Sequence, residues 1–176
     1  MTSKIVTPEF RGSFVSLAEP RTIPGAAPGT KPKYQITLAL PKDDPFWAEA
    51  EQQIEAAYME RWGKKPPKFR SPIKDGDEME RAEFADMYTL QFSSFDRPGL
   101  VDSQMKPVVD PDELYSGAWY RVSCRAYAWS HPTGGNGVSF SLDNAMKCRD
   151  DEAYSGKTSA SDDFGAFAAT SNNLLD

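Results

Sequence analysis

From Ala118 to Ser130 the side chains change character at every step. Trp119, Arg121, Ser123, Arg125, Tyr127 and Trp129 form one series, and Ala118, Tyr120, Val122, Cys124, Ala126 and Ala128 the other. A period of two belongs to an extended strand, whose successive side chains point to opposite faces; a helix would scatter both series around its surface. The stretch predicts one strand with a packed face and a solvent-facing ribbon of rings and guanidinium groups. Rings stack on unpaired bases and arginines neutralise phosphates, so this ribbon implies a surface for single-stranded nucleic acid. For each ring taken singly, packing against a helix or loop is the competing reading.

The remaining pattern is mostly strands around one helix. Phe10 to Leu17 reads as a first strand, with Gly12 at the bend that a closed barrel needs. A Pro- and Gly-rich loop, Arg21 to Pro32, leads to a second strand that turns Tyr34, Ile36, Leu38 and Leu40 inward. Asp43 or Asp44 caps a long helix with Pro45 in its first turn, and Gly63 and Pro66 stop it. Its stripe of Trp47, Ile54, Tyr58 and Trp62 reads as core that covers one end of the sheet. Tyr88, Leu90 and Phe92 mark a third strand, with Phe95 at its end either exposed or buried. The 118–130 strand is the fourth, and Val138, Phe140 and Leu142 mark a fifth after a hairpin at His131 to Gly137. Five strands and one helix fit a small closed barrel, which a chain of this length can support, since it buries roughly 70% of its unfolded surface.

The net charge of −6 opposes nucleic-acid binding until it is divided along the chain. Asp150, Asp151, Glu152, Asp162, Asp163 and Asp176 face only Lys157 over residues 150–176, whereas everything before them carries 19 Lys and Arg against 20 Asp and Glu. The acidity belongs to the tail. Ser, Thr, Ala, Gly, Asn and Asp dominate that tail from Tyr154 onward, too little apolar surface to offset chain entropy, so the chain from about Asp151 is expected to be mobile. Residues 1–150 then form the folded domain and 151–176 a flexible acidic appendage. Such a strip can imitate nucleic acid and compete for the protein's own basic groove, while Asp162, Asp163, Phe164 and Phe167 offer other proteins a handle.

Catalysis finds little support. His131 is the single histidine, and with Cys124 and Cys148 it supplies only three ligands, without metal-binding spacing. No serine sits in a glycine-flanked elbow, and the glycine run at 134–137 lacks the Lys-Ser/Thr of a phosphate loop. Asp75-Gly76-Asp77 lacks the further oxygen ligands of a calcium loop and reads as a turn. No metal and no cofactor is expected. Two cysteines in this setting suggest reduced thiols. The residues after Met1 lead into no apolar run, and nothing approaches a membrane span, so a soluble, intracellular protein without membrane contact is expected.

A resemblance adds to this reading. Arg11 to Pro20, Lys33-Tyr34 with Leu40-Pro41-Lys42, Asp75-Gly76-Asp77, Tyr115-Ser116-Gly117 and Gly137 to Asn144 together resemble a family of phage single-stranded-DNA-binding proteins, in order over about residues 9–150. The resemblance implies a mainly β, oligonucleotide/oligosaccharide-binding (OB) fold: a five-stranded barrel with one long helix and a disordered acidic C-terminal tail. It further implies sequence-independent binding of single strands in phage DNA replication, recombination or repair, in the cytoplasm of the bacterial host. It also implies a tail that shields the groove and recruits replication or recombination proteins. This tail ends Asn173-Leu174-Leu175-Asp176 rather than on the family's aromatic residue.

The candidate DNA-binding set begins with Trp129, Tyr127, Arg125 and Arg121, followed by Trp119. Phe14 and Arg11, Lys31 and Lys33, and the basic loop residues Lys68, Phe69 and Arg70 form a second tier. Barrel edges leave self-association open. A protein-interaction or carbohydrate-binding OB module is the alternative, and would ignore phosphate-bearing polymers or show no tryptophan quenching with them.

Overall fold

Four crossings of the chain between two sheets set the architecture of the computed structural model, which describes residues 2–22, 25–154 and 163–167. The strands are β1 (Ile5–Val6), β2 (Phe10–Arg11), β3 (Ser13–Arg21), β4 (Lys33–Pro41), β5 (Phe69–Arg70) and β6 (Lys74–Asp75). After them come β7 (Met87–Ser94), β8 (Gly99–Asp102), β9 (Trp119–Cys124), β10 (Ala126–His131), β11 (Gly135–Ser141) and β12 (Asn144–Arg149). The long helix α1 (Phe46–Trp62) lies between β4 and β5. The first sheet runs β1-β9-β12-β8, with β2 also on β9; the second runs β10-β11-β7-β4-β3, with β5 on β11 and β6 on β7. The chain passes from first to second sheet at Gly12 and at Arg125, and returns between Ser94 and Gly99 and again after Ser141.

These crossings refine two expectations. The predicted single strand over 118–130 is β9 and β10, divided at Arg125 between the two sheets, and the predicted first strand is β2 and β3, divided at Gly12. The OB arrangement with one long helix is present, but its hydrogen-bond ladder is two sheets, not one closed cylinder of five strands. Gly12 does more than permit the corner: a Cβ there would stand 2.6 Å from Cδ2 of Tyr120, so the ring fills the space a side chain would need.

One core lies between the sheets. Phe10 meets Phe92 at 6.4 Å and Tyr120 at 6.5 Å between ring centroids, and Phe92 meets Phe140 at 6.3 Å. Ile36, Leu38 and Leu90 join them, all buried. Each such side chain contributes about 1.5–3 kcal/mol by leaving water. The inward series Ala118, Tyr120, Val122, Cys124 and Ala126 is buried as the alternation requires.

Helix α1 begins where Asp44 Oδ1 accepts the amide of Phe46 at 2.9 Å, and ends at Gly63, whose φ of 71° suits glycine and whose amide donates to the Met59 carbonyl at 2.8 Å. It buries Phe46, Trp47, Ala50, Ile54 and Ala57. Tyr58 and Trp62, expected on that stripe, are only half-buried. Arg61 donates from Nη1 to the Ala128 carbonyl at 3.1 Å, tying the helix to β10. Among the described residues no helix is long and apolar enough to cross a membrane.

Candidate nucleic-acid interface

Directly opposed residues share a face of a sheet, so the register of the second sheet identifies its outer surface. Tyr127 opposes Ser139 and Trp129 opposes Gly137; Gly137 opposes Arg70; Ser141 opposes Ser93; Ser93 opposes Gln35. The intervening row, Ala126, Phe140, Phe92 and Ile36, is the buried one. Tyr127 is 42% exposed beside Ala126 at 2%. The alternation legible in the sequence thus survives on β10.

Trp129 is half-buried because it lies across the neighbouring strand. Its Nε1 donates to Ser139 Oγ at 3.0 Å, and a Cβ at Gly137 would fall 2.5 Å from its Cζ2. The glycine is the space in which the indole rests. Arg70 follows on the same row, and exposed Arg125 is fixed at the corner by its backbone amide, which donates to Ser141 Oγ at 3.1 Å. Between β11 and β4 the floor is Ser139, Ser141, Ser93, Gln91 and Gln35, polar but without charge, with Gln91 Nε2 donating to Gln35 Oε1 at 2.6 Å. Further along, the turn Gly76–Phe84 covers the face, and Thr37 and Thr89 are buried there.

Beyond Ser93 the same face ends in Phe95, 49% exposed. Lys33 Nζ stands 4.8 Å and Lys31 Nζ 5.0 Å from its ring centroid. Both lysines belong to the predicted set; Phe95 does not. Its signal was the period of two continued past Ser93, obscured by the turn at Asp96-Arg97-Pro98-Gly99.

Six other predicted residues are placed elsewhere. Trp119, Arg121 and Arg11 lie on the first sheet, where Trp119 opposes Arg149 and Arg11. The core separates that sheet's outer face from Trp129, so the ribbon of the sequence becomes two surfaces. Arg121 is exposed, with Nη1 donating to the Thr7 carbonyl at 3.3 Å. Phe69 turns toward the helix and meets Tyr58 edge-on at 5.4 Å, away from Trp129, because it alternates with Arg70. Phe14 (φ 50°) packs on Phe84 at 6.1 Å, under the guanidinium of Arg81. Lys68 is exposed, in a loop whose carbonyls hold β11: the Pro67 carbonyl accepts from Asn136 Nδ2 at 3.2 Å.

The first residues after β12 are docked, in contrast to the expected mobility from about Asp151. Trp119 Nε1 donates to Asp151 Oδ2 at 2.8 Å, Tyr115 Oη donates to the Asp151 carbonyl at 2.9 Å, and the Arg11 guanidinium covers the Tyr154 ring at 4.4 Å. Gly117 (φ 116°) lies directly beneath: a Cβ there would stand 2.3 Å from the Glu152 carbonyl oxygen. The indole N–H, then the Glu152 amide and the Arg11 and Arg149 charges, hold the Asp151 carboxyl below its ordinary range. Of the predicted tail handle, Phe164 and Phe167 are largely exposed, Asp163 is described, and Asp162 lies outside the described residues.

The Asp75-Gly76-Asp77 turn is occupied by a lysine. Lys42 Nζ stands 2.9 Å from Asp75 and 2.8 Å from Asp77, and hydrogen bonds to both carboxylates keep its ammonium charged well above the ordinary lysine range. Among the described residues no group of three or more His, Cys, Asp or Glu could hold a metal ion. Cys124 and Cys148 are free; burial pushes the Cys124 thiol up to about 12.

A family model described as "Enterobacter phage Enc34, ssDNA-binding protein" matches residues 3–175. The single-stranded DNA-binding protein from bacteriophage Enc34, solved in complex with ssDNA, superposes with a TM-score of 0.74 at 26% identity, over 86% of this chain and 89% of that one. The putative protein p50 of Acyrthosiphon pisum secondary endosymbiont phage 1 is 28% identical over 167 residues, 87% of each chain. Gp2.5, a single-stranded DNA-binding protein encoded by bacteriophage T7, shares the fold at a TM-score of 0.62 and 16% identity, over 96% of each chain.

Proposed function

Since the chain belongs to the family of the single-stranded DNA-binding protein of Enterobacter phage Enc34, we propose that it binds single-stranded DNA without sequence preference and serves phage DNA replication, recombination or repair in the cytoplasm of the bacterial host. The observation that carries this reading is the outer face of the second sheet, where Tyr127 and Trp129 stand between Arg125 and Arg70. Stacking is worth roughly 1–3 kcal/mol per base and is indifferent to base identity, so a few rings provide useful affinity without base-edge contacts. Duplex DNA hides its base faces and leaves only phosphate attraction, which a nearly neutral body supplies weakly. Selection for single strands follows from geometry.

Arg11, Arg121 and Trp119 on the first sheet, and Phe14, Lys68 and Phe69 around the edges, are secondary in this reading. The acidic tail shields the site and recruits replication proteins through Asp162, Asp163, Phe164 and Phe167. The test is a titration with labelled oligo-dT and a matched duplex at two salt concentrations. Quenched tryptophan fluorescence, preference for the single strand and weakening in salt are expected; equal binding of duplex, or no binding of either, overturns the proposal.

A further inference from the structure

We infer that Phe95, flanked by Lys31 and Lys33, is a second base-stacking platform at the opposite end of the face from Tyr127 and Trp129. This rests on the DNA-binding reading above and extends it to a residue outside the 118–130 segment. Phe95 lies just past the end of β7, two positions after the outward Ser93, and Lys33 continues the outward series of β4 two positions before Gln35, with its ammonium over the Phe95 ring. Ring and ammonium therefore meet on one surface.

The arrangement is that of a site rather than of packing. A phenylalanine that served the core would be buried as Phe92 is; Phe95 keeps 49% of its surface in water. Two ammonium groups stand within 5.0 Å of its centroid, and such cations also suit the phosphates on either side of a stacked base. From Tyr127, the register leads across two strand spacings and about four residues along the strands to Phe95, a separation on the order of 16 Å. That spans several nucleotides, within the roughly 4–16 covered by one OB fold. The uncharged floor between the two aromatic ends lets sugars and bases cross without a fixed ionic partner.

The experiment measures affinity for a fluorescein-labelled dT oligonucleotide by anisotropy, in the full-length protein and in Phe95→Ala, Phe95→Leu, Phe95→Trp and Trp129→Ala variants, with urea unfolding of each. Because Phe95 is half exposed, its variants are expected to unfold at the wild-type midpoint. Phe95→Ala and Phe95→Leu should each bind at least about fivefold more weakly, and Phe95→Trp should restore wild-type affinity. If Trp129→Ala weakens binding while Phe95→Ala or Phe95→Leu binds as wild type, the second platform is overturned and the DNA-binding reading stands. Failure of the wild type to bind the oligonucleotide overturns both.

Discussion

Trp129 depends on an absent side chain. Gly137→Ala would place a methyl group 2.5 Å from Cζ2 of the indole, with little room to shift, since the Arg70 carbonyl is 2.9 Å away. The variant is expected to lose about 1–3 kcal/mol of stability in urea unfolding, and its DNA affinity should fall several-fold as the ring is displaced. At Asp151 the lowered carboxyl pKa gives a definite sign. A depressed native value stabilises docking of the segment above the ordinary value of 3.8 and loses that contribution only as pH falls through the lower one. Trp119 emission, isolated as the difference from Trp119→Phe, should stay constant from neutral pH to about 4 and change only below it. A transition centred near pH 5 or 6 would contradict the contact.

At the scale of elements, the corner at Arg125 divides what the sequence joins. Arg125 shares a face with Tyr127 and Trp129, and Arg121 does not, so replacing both with Ala should weaken binding with Arg125 carrying the loss. Arg125→Ala alone should reduce the slope of log affinity against log salt by about 0.7, the value for one phosphate contact on a single strand. Gly12→Ala probes the other corner: its Cβ would press on Tyr120 at 2.6 Å, and a loss of about 1–3 kcal/mol is expected by chemical denaturation. The inward and outward series, the helix with its Asp44 cap and Gly63 stop, and the exposure of Tyr127 were all legible, because local periodicity and capping chemistry record them. The division of 118–130 between two sheets was not, because a period of two continues unchanged through a bend. Phe69 was misplaced for a related reason: a two-residue strand has no period to read. Its direction is set by pairing with Asn136, a contact far away in sequence.

For the whole molecule, the charge is distributed by chain segment. Deleting residues 151–176 should tighten binding to single strands at low salt and extend it toward duplex DNA, with the gain fading as ionic strength shortens the Debye length from about 30 Å at 0.01 M to 8 Å at 0.15 M. Unchanged affinity at low salt would argue against shielding. Deleting 155–176 alone keeps the contacts of Asp151 and Tyr154 with Trp119 and Arg11, and so separates the docked residues from those that follow. The serine and glutamine floor of the second sheet bears on movement as well as on grip. Where no ion pair fixes a backbone, a threaded strand that advances by one nucleotide exchanges each contact for an equivalent one. Many registers are then isoenergetic, and the multiplicity of bound arrangements favours migration along a lattice of bases over residence at one address.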